Sequence, residues 1–158
     1  MIQMAASIRQ VLSDTASSRP DDIWLVTPET ETSFSWKETD QRAETIACYL
    51  QGAGISIGAS VAIAAPNGAA ASFAFLGVVY GGYRATPLNL VAGIKTLAFV
   101  LNHSKAEVIL CSNDSRALVD EAIAILIERG EQAPRIIPMD VDNGPRWAET
   151  GIIPVEPA

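Results

Sequence analysis

Charged residues, histidine and cysteine are all scarce in this sequence. Asp, Glu, Lys and Arg together make up 18% of its 158 residues, and it has one histidine, His103, and two cysteines, Cys48 and Cys111. Neither cysteine belongs to a CxxC pair, which argues against a metal site or a disulfide framework, and we expect two buried, reduced thiols. Acid–base chemistry centred on histidine would have only His103 to use.

The charge that is present excludes further classes of partner. Lys and Arg number 11 against 18 Asp and Glu, a net charge of −7, and no basic stripe is visible. Nucleic acid and anionic membrane surfaces are therefore not expected partners. The first residues, MIQMAASIRQ, lack the basic start and apolar core of a signal peptide, and no apolar run reaches about 20 residues. We expect a cytoplasmic protein without a membrane span.

The most apolar stretch of the chain is residues 60–89, SVAIAAPNGAAASFAFLGVVYGGYRATPLN. Its pattern predicts a buried strand over 61–65, a turn at Pro66-Asn67-Gly68, a helix to Tyr80 and a second short strand ending in Pro87-Leu88-Asn89. Asn67 can cap the helix, and Gly81-Gly82 can end it. A strand–helix–strand unit implies parallel strands joined by a right-handed crossover, and a helix that is apolar all round must be covered on several sides.

The remaining pattern alternates strands with helices. A helix over residues 4–17 should place Ile8, Val11 and Leu12 on one face, and a β-hairpin is predicted over 23–27 and 32–36. Ser35 and Glu38 match a capping box for the helix that follows, which Gly52 and Gly54 should end. Further predicted elements are a helix over about 92–103, a strand over 107–111, a helix capped within 112–114 and ending at Gly130, and a strand over 135–139 kept near a sheet edge by Pro138.

This alternation predicts an α/β fold with a mostly parallel sheet flanked by helices, preceded by a short N-terminal β-hairpin. Residues 1–140 form the expected subdomain. Residues 141–158, rich in proline and glycine and without periodicity, are interpreted as a linker.

Four segments in this order resemble the start of the adenylate-forming superfamily, which includes acyl- and aryl-CoA synthetases. They are SSRPDDIWLV, SFSWKETDQRAETIACYLQGAGISIGASVAIAAPN, FAFLGVVYGGYRATPLN and LAFVLNHSKAEVILCSN, within about residues 16–113. Trp36, Ala59 and Tyr83 depart from the residues that the superfamily usually has at these positions. The resemblance implies an N-terminal fragment of an enzyme that activates a carboxylic acid with ATP and Mg²⁺ and then transfers the acyl group to coenzyme A.

The parts of that family that carry the chemistry are not found in this sequence. Gly81-Gly82 and Gly52-Ala53-Gly54 lack the Ser, Thr and Lys of its phosphate-binding loop. Its Thr-Glu metal motif, hinge Asp and catalytic Lys are likewise missing. We predict no catalytic, cofactor-binding or metal-ligating residue, and hence an inactive fragment whose partner is the remainder of the parent enzyme.

Several residues admit a functional interpretation beside a structural one. His103 could act as a base but is better explained as a helix-terminal residue, and Ser112-Asn113-Asp114-Ser115 could bind an anion but suits helix capping. Pro66-Asn67-Gly68 lies where open α/β sheets bind ligands, and helix 69–80 could line an acyl pocket, although turn formation and core packing explain both. Tyr80, Tyr83 and Arg84 could face a partner subunit.

Two functions remain open at this point. The leading one is the N-terminal part of an acyl-CoA synthetase, and the alternative is a free-standing, non-catalytic α/β binding or interaction module. The first also predicts an exposed apolar face and, through it, self-association.

Overall fold

A five-stranded sheet with the order β4-β3-β5-β6-β7 forms the centre of the computed structural model, which describes residues 6–157. The helices are α1 (Ile8–Ser18), α2 (Trp36–Gly52), α3 (Ala69–Tyr80), α4 (Ile94–Ser104), α5 (Asn113–Glu128) and a 3₁₀ turn, Trp147–Glu149. The strands are β1 (Ile23–Thr27), β2 (Thr32–Ser35), β3 (Ser60–Ala64), β4 (Arg84–Pro87), β5 (Ala106–Ser112), β6 (Arg135–Asp140) and β7 (Gly144–Pro145). The predicted α/β fold and its short hairpin are confirmed.

Four of the five strands run parallel. β3 pairs with β4 on one side and with β5 on the other, and β5 pairs with β6. Beyond β6, the strand that contains Pro138, the sheet has only the two-residue β7, which runs antiparallel to β6. Pro138 therefore lies in the last parallel strand, as its missing amide hydrogen predicts.

Side chains alternate between the two faces of the sheet. Val61 and Ile63 of β3 point into a core shared with α2 and α3, whereas Ala62 and Ala64 point into a second core shared with α4 and α5. Because both faces of the strand are covered, all five of its residues are buried and the sequence reads as a continuous apolar run. The molecule has three layers, with helices on both sides of the sheet.

Helix α3 is the most deeply packed helix on its face of the sheet. Seven of its residues are buried, including Phe73, Gly77 and Val78. The hairpin covers a further side of it, since the ring centroids of Trp24 and Phe34 lie 5.8 Å and 4.9 Å from that of Phe73. The prediction that a uniformly apolar helix must be covered on several sides is confirmed. Phe75, 43% exposed, lies on its one open side.

The start of α2 has the predicted capping box. Ser35 Oγ accepts a hydrogen bond from the Glu38 amide at 3.2 Å, and Glu38 Oε2 accepts one from the Ser35 amide at 2.8 Å. The hydrogen bond from the Ser35 amide to the Glu38 carboxylate, together with the Ser35 side chain, lowers the pKa of Glu38. The helix ends at Gly52, and Gly54 follows with φ of +78°, a conformation that favours glycine.

Helix α1 packs through a narrower face than predicted. Leu12 and Ala16 are buried, and Leu12 meets Ala43 of α2 and Tyr80 of α3. Ile8 and Val11, which share the predicted apolar face with Leu12, are each 52% exposed, so only part of that face is buried. The cause is that α1 contacts the domain along a single line of residues. The first five residues of the chain lie outside the described part.

The residues after Asp140 are packed, although their sequence shows no periodicity. Trp147 is buried and stacks on Tyr49 of α2, with ring centroids 4.6 Å apart and planes within 2° of parallel. The Val155 amide donates to the carbonyl of Cys48 at 3.1 Å, and Gly52 lies directly against the backbone at Ile153. We call residues 146–157 the strap. These contacts tie the strap to α2, and the interpretation of residues 141–158 as a linker stays a prediction.

Candidate functional site

The carboxyl ends of β3 and β5 form the position where a sheet of this topology offers a ligand site. Helix α3, which connects β3 to β4, packs on one face of the sheet. Helices α4 and α5, which connect the next pairs of strands, pack on the other face. The loops at the ends of β3 and β5 therefore diverge and leave a crevice, which is where open α/β sheets bind ligands.

The turn after β3 brings Asn67 and Gly68 to one side of this crevice. Asn67 does not cap α3 as predicted: the N-cap residue is Gly68, and no side chain caps the helix. A cleft of about 610 Å³ opens beside the turn, between α3, the hairpin and the end of β4. Its lining is mostly apolar, with Trp24, Phe75 and Leu88 among the side chains. Phe75, which is 43% exposed, contributes apolar surface here, whereas self-association through an apolar face stays a prediction.

The segment after β5 does not form an open anion site. Ser112 is the N-cap of α5, but its hydroxyl donates to Ser115 Oγ at 3.0 Å instead of accepting from the helix amides, and both serines are buried. Asn113 Oδ1 accepts from Arg146 at 3.0 Å. Ser112 therefore occupies the predicted N-cap position, but its side chain does not make the capping hydrogen bond.

Arg146 is the residue at this edge that the sequence interpretation missed. Besides Asn113, its guanidinium faces Asp140 at 3.6 Å and Glu149 at 3.3 Å, and its backbone amide donates to the Pro138 carbonyl at 2.8 Å. Two carboxylates balance its charge, so it ties β6, α5 and the strap together and does not present a free cation. The sequence feature that could have indicated a packed segment is the run of Pro145, Arg146 and Trp147.

His103 lies far from this crevice in the topology. It is exposed in the last turn of α4, just before the amino end of β5, and its ring stacks on that of Phe99 at 5.5 Å. The structural interpretation of a helix-terminal histidine agrees with this position.

Tyr80 and Tyr83 do not face outward. Both are buried, Tyr80 against α1 with its hydroxyl 3.3 Å from Ser13 Oγ, and Tyr83 with its hydroxyl 3.5 Å from the Ile55 carbonyl. The suggestion that they contact a partner subunit is wrong, because α1 and the loop before β3 already cover them. Arg84 is exposed, and its Nε donates to the Gly58 carbonyl at 2.8 Å.

The two thiols are poor nucleophiles in this fold. Both are free, Cys111 buried and Cys48 half-buried. Burial raises the pKa of Cys48, and it raises the pKa of Cys111 to about 11. Because only the thiolate attacks, neither side chain is activated for covalent chemistry.

We expect an aromatic disulfide reagent at neutral pH to modify Cys48 slowly and Cys111 only after unfolding. The folded state holds the Cys111 proton more tightly than the unfolded state does, so the free energy of unfolding should fall as the pH rises from about 9 through 11. Urea titrations across this range measure the effect, with Cys111→Ala as the control that should flatten the slope. Fast labelling of Cys111 in the folded chain would contradict the expectation.

The cleft at the carboxyl edge of the sheet is lined mainly by apolar side chains. Within residues 6–157 there is no group of three or more His, Cys, Asp or Glu placed to hold a metal ion. None of the helices in the described part is long and apolar enough to cross a membrane. Fold and site together define an α/β layer with open apolar surface at the carboxyl edge of its sheet.

Comparison with known proteins identifies the family. Residues 12–151 match the sequence model of the AMP-binding enzymes, and the chain belongs to this family. It is 30% identical over 98 residues to an acetate–CoA ligase of Humulus lupulus, covering 62% of this chain and 17% of that protein. It is 25% identical over 122 residues to a sulfoacetate–CoA ligase of Cupriavidus necator, covering 77% of this chain and 23% of that protein.

Solved structures share the fold. A fatty acyl-CoA synthetase of Mycobacterium tuberculosis superimposes with a TM-score of 0.75 at 25% identity, over 96% of this chain and 30% of that one. A benzoate–CoA ligase of Burkholderia xenovorans gives 0.77 at 18% identity, over 98% and 30%, a likeness of fold alone. The chain thus spans about a fifth of the length of the curated relatives it matches.

Proposed function

We propose that these residues form the N-terminal α/β layer of an ATP-dependent acyl-CoA ligase. The observation that carries the proposal is the match of residues 12–151 to the AMP-binding enzymes, which covers most of this chain but only a small part of its relatives. The parent enzyme would convert a carboxylic acid and ATP to an acyl-adenylate, with Mg²⁺ on the phosphates, and then form a thioester with coenzyme A.

The role of the layer in that reaction is support. Two cores on opposite faces of one sheet make a rigid platform, and the apolar cleft beside the turn at Asn67 offers a surface against which the remainder of the enzyme could pack. Some polar side chains at the carboxyl edge bind one another, as in the Arg146–Asn113 hydrogen bond, and we expect none at this edge to attack a substrate or to move a proton. The groups that act on ATP and the carboxylic acid would lie in other parts of the ligase.

We expect the 158-residue chain alone to show no ATP–pyrophosphate exchange with acetate, longer fatty acids or benzoate. Circular dichroism and cooperative urea unfolding verify that the chain is folded in the same samples. A polypeptide extended along the gene beyond Ala158 to include a Ser/Thr/Gly-rich loop with a lysine should gain exchange with at least one acid.

Either of two results would overturn the proposal. Exchange by the folded 158-residue chain would place the catalytic groups within it. A stop codon directly after Ala158 would favour the free-standing, non-catalytic module instead.

A further inference from the structure

A second pocket, on the face of the sheet that α2 and α3 cover, contains an arginine whose guanidinium donates no hydrogen bond within residues 6–157. It has a volume of about 370 Å³ and lies between α2, Phe73 of α3 and the turn that joins β6 to the strap. Helix α2 forms one wall, and the turn residues form the other. Its lining includes Glu38, Gln41, Arg42, Phe73, Asn143 and Trp147.

Two aromatic rings hold the Arg42 guanidinium in place. Its central carbon lies 4.9 Å from the ring centroid of Phe34 and 5.0 Å from that of Phe73. Since these rings themselves pack edge to face at 4.9 Å, the cation rests on a rigid support. The residue is exposed, and the two ring contacts favour one orientation of its guanidinium, which lowers the entropy cost of binding a ligand.

Its hydrogen-bond donors have no acceptor within the described part of the chain. A guanidinium carries five N–H donors. The ion pairs of residues 6–157 involve Arg116 and Arg146, and Arg42 donates none of the side-chain hydrogen bonds found there. A planar cation fixed on aromatic rings with free donors is suited to bidentate binding of a carboxylate.

The floor of the pocket is apolar and aromatic. Ile46, Phe73 and Trp147 line it, and each is at least 90% buried. Gln41 and Asn143 add amide groups at the rim. A volume of this size accommodates a small molecule, and a flat apolar body suits a floor of aromatic rings.

One like charge opposes an anion here. The Glu38 carboxylate also lines the pocket, but Oε2 accepts the hydrogen bond of the Ser35 amide at the start of α2. Glu38 therefore weakens the attraction of an anionic ligand to Arg42 but accepts no hydrogen bond from the Arg42 guanidinium.

We propose that this pocket binds a small, flat carboxylate, with the carboxylate on the Arg42 guanidinium and the apolar body on Phe73 and Trp147. The site is separate from the acyl activation proposed above, because no nucleophile or phosphate-binding loop lies beside it, and its test does not depend on that proposal. An acidic side chain of a protein segment could present the same carboxylate, but the volume of about 370 Å³ and the aromatic floor favour the small molecule.

The test titrates benzoate into the uniformly labelled 158-residue chain and follows its amide and indole resonances by NMR. We expect saturable shifts at Arg42, Asn143 and the indole of Trp147. Benzamide, which has the same ring without the charge, should bind at least about tenfold more weakly. Equal shifts with benzamide, or no shift at Trp147, would overturn the proposal.

Variants separate recognition from folding. Arg42→Gln should weaken benzoate binding at least about tenfold. Arg42→Lys keeps the charge without the planar guanidinium, so its affinity for benzoate should lie between those of Arg42→Gln and the natural chain. Glu38→Gln should strengthen binding about twofold to threefold by removing the like charge. Arg129→Gln on α5 is the matched control and should leave binding unchanged. Unaltered affinity in Arg42→Gln would sink the assignment, and tighter binding of an acidic peptide than of benzoate would contradict the small-molecule ligand.

Discussion

Replacing Gly77 with valine is expected to lower the free energy of unfolding by about 3 kcal/mol. A Cβ at this position of α3 would lie 2.5 Å from the Cβ of Ile46 and 2.6 Å from its Cγ2. These atoms belong to a branched residue that is 4% exposed on α2, so they cannot swing aside. Valine would improve helix propensity over glycine by only about 0.5 kcal/mol, far less than the overpacking costs. Urea unfolding measures the difference.

A double-mutant cycle checks that Ile46 is the cause. Ile46→Ala alone should cost about 2–4 kcal/mol through the cavity it leaves. With both changes, the valine can enter that cavity, so the combined loss should be smaller than the sum by at least about 1 kcal/mol. Strict additivity would show that the glycine is needed for some reason other than its contact with Ile46.

The second large effect is expected for Trp147→Ala, which should cost about 3–5 kcal/mol. The indole is 8% exposed and stacks on Tyr49, so its removal leaves a cavity under the strap and frees the residues that follow. Hydrogen exchange at the Val155 amide, which donates to the Cys48 carbonyl, should accelerate together with the loss of stability.

Ile153→Ala provides the matched control for the strap. Its side chain is 81% exposed, so the free energy of unfolding should change by no more than about 0.5 kcal/mol. If Trp147→Ala behaved like this control, residues 146–157 would be an unpacked linker in solution.

The parts of the fold that could be predicted are those with a local signal. The capping box at Ser35 and Glu38, the glycines after α2 and the apolar run of β3 each involve neighbouring residues, so the pattern and the structure agree closely. The parallel sheet followed from the strand–helix alternation, since a crossover helix forces its two strands to run the same way.

The parts that could not be predicted depend on contacts between distant segments. Nothing near Trp147 in sequence indicates that Tyr49 will stack on it, and Ile8 differs from Leu12 only in what α2 happens to cover. The Arg42 pocket combines α2, α3 and the turn at Asn143, three segments about a hundred residues apart at their extremes. Helical periodicity placed Arg42 on an outward face and could not supply the rings beneath it.

The strap has a further consequence for how a longer polypeptide would carry this unit. Val155, Glu156 and Pro157 line the same cleft as Arg9 of α1, so the chain returns close to the place where its first helix begins. A unit whose entry and exit points are adjacent is attached to its surroundings at what is nearly one point. Tension applied through the flanking chain would load the short contact between the strap and α2, peeling it residue by residue, and would leave the hydrogen bonds of the central sheet almost unstressed.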